Sequence, residues 1–185
     1  MSEKPSYLGL LNAISLAESE AERYLDCWAA TTPSADVRRI ISTVALREGE
    51  HGKAFAKRIC ELGFGLQPKE GPSDLDSKMA IVTSTTLSDK EKFEKLKLAA
   101  APRAGERDIF TSFFDDTTMD IQTGALMGRY VAEERDSGRM LRGCYEVLCS
   151  EDSTAPQAAV ASLEPLSAQL GRIEVLLEKL VSAQC

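Results

Sequence analysis

Apolar residues recur along the chain with the spacing of an α-helix. In residues 6–30 they form a stripe with intervals of three and four residues, which places them on one helix face. The same spacing resumes after residues 31–34 and continues to Gly63, a residue type that often ends helices. The pattern therefore predicts two long helices that are joined by a short turn.

A linker that is rich in glycine and proline follows the second helix, and we predict one short helix in it, around residues 75–82. Ser88 and Glu91 then form a capping-box pattern that opens a third helical region, residues 88–114. Because proline removes a backbone donor and clashes with the preceding turn, Pro102 is expected to kink this region or divide it into two shorter helices.

The remaining sequence predicts two more helices. A fourth helix runs from after residue 118 to about Cys149, and a fifth from about residue 157 to 183, with a break at residues 150–156. The fifth helix has apolar residues at alternating intervals of three and four, which is the pattern of a coiled-coil seam. It either packs on its own bundle or pairs with a second copy of the chain. The seam consists of Leu163, Leu166, Leu170, Ile173, Leu177 and Leu180.

Two helix pairs with short turns, joined by a long crossover, form the topology of a ferritin-like four-helix bundle. We therefore predict an all-α fold in which residues 1–150 form the bundle domain. Residues 151–185 are expected to add a C-terminal amphipathic helix that serves packing or dimerisation. The expected assembly is a homodimer formed through helical surfaces that include this last helix.

Composition narrows the classes of partner. The 185 residues have a net charge of −7 and no basic surface is apparent in the sequence, so we do not expect a nucleic-acid partner. No apolar run is long enough to cross a membrane, and the first residues do not resemble a secretory signal, so we expect a cytoplasmic protein. The five cysteines form no CxxC pair, which leaves carboxylates and imidazole as the ligands of any metal site.

Glutamates interrupt three of the apolar stripes. Glu18 lies mid-stripe in the first helix, Glu48 in the second and Glu134 in the fourth. His51 follows Glu48 by three residues, so the pair Glu-x-x-His shares one helix face. Buried carboxylates repel one another unless protons or a cation intervene. A cation held by three carboxylates and one imidazole satisfies this requirement, and these ligands suit iron or manganese, with zinc as a further candidate.

The sequence resembles the ferritin-like superfamily, and within it the rubrerythrin-type branch, over roughly residues 8–150. Residues 18–25 are similar to the Glu-Ser-x-Ala segment of the first helix in that family, and residues 48–51 match its Glu-x-x-His. Residues 133–148 are similar to its fourth-helix ligand segment. In that family two irons share two bridging glutamates, and each iron has a further carboxylate and a histidine.

The resemblance implies a terminal ligand at Glu18, bridging ligands at Glu48 and Glu134, and the first histidine ligand at His51. The second half of a dinuclear site departs from the family pattern. Ser137 stands where the second histidine belongs, and the chain has no other histidine. Pro102 aligns with Glu18, so the fourth carboxylate is also missing unless Glu106 replaces it. The site is therefore expected to hold one or two ions of iron or manganese per chain.

Two functional hypotheses remain open at the level of the sequence. The first is a metal-binding ferritin-like protein with weak oxidoreductase activity toward ferrous iron, oxygen or peroxide. The second is a non-enzymatic scaffold or interaction protein that keeps the bundle and has lost the di-iron centre. The sequence contains no rubredoxin-like cysteine module, so an electron donor is not identified.

Overall fold

The described part of the chain forms helices and connecting segments. The structure is a computed structural model that describes residues 4–68, 73–99 and 109–182, with side chains described at 110–151 in the last range. In these ranges the helices are α1 (Leu8–Thr31), α2 (Ala35–Glu61), α3 (Leu75–Val82), α4 (Asp89–Leu96) and α5 (Ile121–Ser182), with a 3₁₀ helix at Ile109–Phe114. The prediction of an all-α protein is confirmed. None of these described helices is both long and apolar enough to span a membrane.

Helices α1 and α2 form the predicted hairpin. The Ser34 side chain accepts a hydrogen bond from the backbone N–H of Val37 at 3.3 Å, so it caps the start of α2. Gly63, with φ of +86°, ends α2, and the next residue, Phe64, donates its N–H to the carbonyl of Ile59 at 3.1 Å. This left-handed glycine is the helix stop that the sequence predicts.

Gly52 brings α1 and α2 close together. A Cβ atom at this position would lie 2.6 Å from Ser19 Oγ and 3.2 Å from the backbone oxygen of Ser15. At this close approach of the two helices, the Ser15 hydroxyl donates a 2.8 Å hydrogen bond to the carbonyl oxygen of Gly52. The close contact places the middle of α1 directly against the Glu-x-x-His turn of α2.

The third helical region differs from the prediction. Helix α3 coincides with the short helix expected at residues 75–82, and the Ser88–Glu91 capping box is present at the start of α4. However, α4 ends at Leu96, because Lys97 adopts the left-handed conformation with φ of 57°. The predicted helix over residues 88–114 is therefore limited, among described residues, to α4 and the short 3₁₀ helix. Pro102 lies outside the described residues.

A buried tryptophan attaches α4 to the end of α1. The indole N–H of Trp28 donates a 2.7 Å hydrogen bond to Asp89, the first residue of α4. The ring of Trp28 also meets the ring of Phe93 edge to face, with 4.8 Å between centroids. Both rings are fully buried, so this contact fixes α4 beside α1.

The predicted break at residues 150–156 is wrong, because these residues lie inside helix α5. The backbone continues as one helix from Ile121 to Ser182. Each of the two interior prolines, Pro156 and Pro165, removes only one helical donor, and the alanine, leucine and glutamate around them favour the helix. The chain divides into two compact units, Met1–Tyr145 and Glu146–Cys185, and the leucine seam lies among side chains outside the described ones.

The core of the first unit is formed by the facing sides of α1, α2 and the start of α5. Its buried residues are Tyr7, Leu8, Leu11, Ile14, Phe55, Ile59, Met127, Tyr130 and Val131. These apolar residues lie next to the polar middle of the same three helices. A ferritin-like arrangement of four long helices is not established by this architecture.

Candidate metal centre

Three helices bring four predicted ligand residues together. Glu18 of α1, Glu48 and His51 of α2, and Glu134 of α5 each offer one ligand atom, and these atoms all lie within 4.8 Å of one another. The exposed fractions of Glu18, Glu48 and His51 are 7%, 7% and 3%, and the Glu134 side chain is 20% exposed. All four residues face the interior because each one continues the apolar stripe of its helix.

Three atoms of this cluster are buried without a hydrogen-bond partner. They are Glu18 Oε2, His51 Nδ1 and Glu134 Oε1, one from each helix. His51 Nδ1 lies 3.3 Å from the Glu134 oxygen and 3.9 Å from the Glu18 oxygen, but no contact among the three has the geometry of a hydrogen bond. Leaving buried polar atoms unpaired costs about 1–3 kcal/mol each. Three such atoms directed at one point indicate that another species completes the cluster.

Glu133 determines which nitrogen of His51 is free. Glu133 Oε2 lies 2.7 Å from His51 Nε2 and is also held in place by Arg129, whose Nε donates to Oε1 at 3.0 Å. Burial alone would raise the pKa of Glu133, but the hydrogen bonds from His51 and Arg129 lower it. An ionised carboxylate only accepts hydrogen bonds, so Nε2 carries the proton. In neutral His51 the lone pair on Nδ1 then faces the carboxylates.

Tyr130 orients Glu18. The hydroxyl of Tyr130 donates a 2.9 Å hydrogen bond to Glu18 Oε1, which leaves Oε2 directed toward His51 and Glu134. Burial would raise the pKa of Glu18, but its interactions with His51, Glu48 and Tyr130 outweigh burial and lower it. Glu18 is therefore ionised at neutral pH, deep inside the unit.

Without a metal ion, protons offset the charge of the cluster. Burial and the neighbouring carboxylates of Glu18 and Glu134 raise the pKa of Glu48 to about 11. Burial opposes protonation of His51, yet the carboxylates of Glu134, Glu18 and Glu133 raise its pKa to about 10. Both groups therefore hold a proton at neutral pH that a cation can replace.

The donor set fits a divalent metal ion. Ligand bonds to such ions are about 2.1 Å long, so ligands on opposite sides of an ion stand about 4.2 Å apart. The observed spread of 4.8 Å needs only small side-chain movements to reach that value. Carboxylates with one imidazole suit manganese and iron. A carboxylate that holds the second histidine nitrogen, here Glu133, is a common supporting group of such sites.

A cationic side chain lies beside the position where the resemblance would require a second histidine. Ser137 occupies it and is 2% exposed, and its hydroxyl accepts a 3.2 Å hydrogen bond from Arg47 Nη1. The same nitrogen donates to Asp136 at 2.8 Å. Ser137 supplies no imidazole, and its hydroxyl is already engaged by Arg47, so the described residues provide one set of ligands, suited to one ion.

Two residues of the centre are missed by the sequence pattern. Glu133 and Arg47 lie one position away from Glu134 and Glu48, off the apolar stripes, so the helical period excludes them. The sequence does contain one signal for Glu133, because a histidine ligand normally needs a carboxylate for its second nitrogen. The proposed substitute ligand Glu106 lies outside the described residues.

No protein-family model, curated protein or solved structure matches this chain.

Proposed function

We propose that this chain is a ferritin-like protein that binds one iron or manganese ion through Glu18, Glu48, His51 and Glu134. The observation that supports this function best is the set of three buried, unpartnered atoms from three helices around one point. In this role Glu133 holds the proton of His51 Nε2, and Tyr130 orients Glu18.

A single ion is the proposed stoichiometry. Family resemblance alone allows a dinuclear centre, but Arg47 and Ser137 place a hydrogen-bonded cation where the second histidine would stand. If iron is bound, the resemblance implies weak oxidoreductase activity toward oxygen or peroxide, and multiple turnovers would require electrons from a separate donor. We propose homodimerisation and a cytoplasmic location on the sequence arguments alone.

A second candidate function is a scaffold that has lost the di-iron centre. The Arg47–Ser137 contact favours it, because an ion pair and a hydroxyl have replaced part of the family's ligand set. In that case the cluster would persist as a network of shared protons. The two functions differ in one measurable property, namely whether the folded protein binds a metal ion.

Metal titration of the metal-free protein tests the proposal. Mn²⁺ binding is measured by calorimetry for the wild type, for Glu48→Gln and for Glu50→Gln. Glutamine resembles the protonated Glu48 carboxyl and keeps the variant folded, but it is a poor ligand. Glu50 lies on the same helix with a 56% exposed side chain, so Glu50→Gln is a matched control.

The wild type and the control are expected to bind about one equivalent of Mn²⁺, whereas Glu48→Gln binds far more weakly. A melting experiment supplies a second readout, since Mn²⁺ at 100 times its Kd stabilises the folded state by about 2.7 kcal/mol. If the wild type neither binds Mn²⁺ or Fe²⁺ nor gains stability from them, the metal-binding function is wrong and the scaffold function is favoured.

A further inference from the structure

A cavity of about 300 Å³ adjoins the ligand cluster. Its size is at the lower end of the range for small-molecule sites. Glu18, Glu48 and Glu134 all line it, whereas His51 is not among its lining residues. The cavity therefore adjoins the carboxylate residues of the cluster rather than His51.

Apolar side chains form another part of the lining of the cavity. This part is formed by Ala21 and Leu25 of α1, Val44 of α2, Leu98 after α4, and Leu141 of α5. Four protein ligands leave up to two positions free on an ion that prefers six. A molecule in the cavity thus has both carboxylate residues and apolar side chains as neighbours.

The charges around the cavity favour a neutral molecule. Three carboxylates are not fully compensated by one divalent ion, so an anion would meet like charge. Lys78 also lines the cavity, but Asp74 Oδ2 lies 3.2 Å from its Nζ and compensates its charge. The Lys78 ammonium group also lies 5.3 Å from the centroid of the Tyr24 ring. Tyr24 lines the cavity as well and is its aromatic residue.

We propose that this cavity binds a small neutral molecule that has one hydroxyl group and an apolar body, with phenol as the simplest aromatic example. The hydroxyl group faces the carboxylate residues, and the apolar body packs against Leu25 and Leu141. This proposal rests on the proposed metal-binding function, because the ion makes the cluster attractive to a neutral oxygen donor.

The test uses the full chain after Mn²⁺ loading, with metal content measured first. Calorimetry then measures binding of phenol and of benzoate, which has the same ring and a negative charge. Ala21→Leu adds bulk in the half-buried wall of the cavity. Ala13→Leu makes the same change at an exposed position of α1 that does not line the cavity, so it controls for helix effects.

Phenol is expected to bind the wild type about tenfold more tightly than benzoate does. Ala21→Leu should weaken phenol binding by about tenfold or more. Ala13→Leu should change it by less than about twofold, and both variants should keep one equivalent of Mn²⁺. Three outcomes with normal Mn²⁺ loading would overturn this inference alone. Phenol does not bind, benzoate binds as tightly as phenol, or the two variants change phenol binding equally. Failure of Mn²⁺ loading in the wild type overturns the proposed function itself.

Discussion

Substitution of Glu133 by glutamine tests whether the histidine is held ready for a metal ion. Glu133 is not one of the proposed ligands, but its Oε2 accepts a hydrogen bond from His51 Nε2 at 2.7 Å. Glutamine keeps the size of the side chain and removes its negative charge. Its amide can also present a donor to Nε2, which would favour the wrong protonation state of the imidazole.

The expected magnitude follows from the strength of that contact. The lost interaction is a short, charge-assisted hydrogen bond to a side chain that is only 4% exposed. Loss of such a supporting carboxylate weakens metal binding by about 10–100-fold, which corresponds to about 1.4–2.8 kcal/mol. Calorimetric titration of the metal-free variant with Mn²⁺ measures this change, and the stoichiometry should remain one ion.

Glu50→Gln is the matched control for this experiment. This substitution removes the same charge near the same pair of helices. Glu50 Oε2 also lies 3.5 Å from Arg129 Nη2, but Glu50 does not contact His51. Its Mn²⁺ affinity should differ from the wild type by less than about threefold because exposed ion pairs contribute little. Equal losses in both variants, or an unchanged affinity in Glu133→Gln, would refute the proposed role of Glu133.

The remaining predictions concern pH and packing. Because the pKa values of Glu48 and His51 are raised, Mn²⁺ must displace a proton from each group. The apparent affinity for Mn²⁺ should therefore rise about 100-fold per pH unit between pH 6.5 and 8. An affinity that does not change with pH would contradict this. In the metal-free protein, the raised His51 pKa stabilises the fold fully below pH 6.5, so stability in urea should fall as pH rises from 6.5 toward about 10. The fall should be steeper than in a His51→Gln variant, in which the raised pKa of Glu48 still contributes. Gly52→Ala should lower the free energy of unfolding by about 1–3 kcal/mol because the Ser15 carbonyl obstructs its methyl group, whereas Gly128→Ala, with open space around it, should be neutral or stabilising.

The interior position of Glu18, Glu48 and His51 follows from the sequence. A helix repeats every 3.6 residues, so a polar residue that falls on an apolar stripe must face the core together with its neighbours. The same period identified Glu134, although its side chain is more exposed than the other three. Convergence on one point additionally required the turn at Ser34 and the close approach at Gly52, and both residue types are visible in the sequence.

The features of the structure that differ from the sequence predictions depend on contacts between helices or on single backbone angles. Glu133 reaches His51 from a neighbouring helix, and the rotation of α5 that permits this contact cannot be read from its own pattern. Lys97 ends α4 in a conformation that usually selects glycine or asparagine, so its residue type gives no stop signal. The break expected at residues 150–156 includes Pro156, whose local cost is smaller than the helix preference of the long segments around it.

The central claim is that one ion lies between three carboxylates and Nδ1 of His51. Anomalous scattering from crystals of the Mn²⁺-loaded protein, recorded at the manganese edge, tests it most directly. We expect one strong peak per chain within bonding distance of Glu18, Glu48, Glu134 and His51 Nδ1, and none beside Arg47 and Ser137. A loaded crystal with no peak at this point, or with manganese bound at another group of residues, would contradict the account.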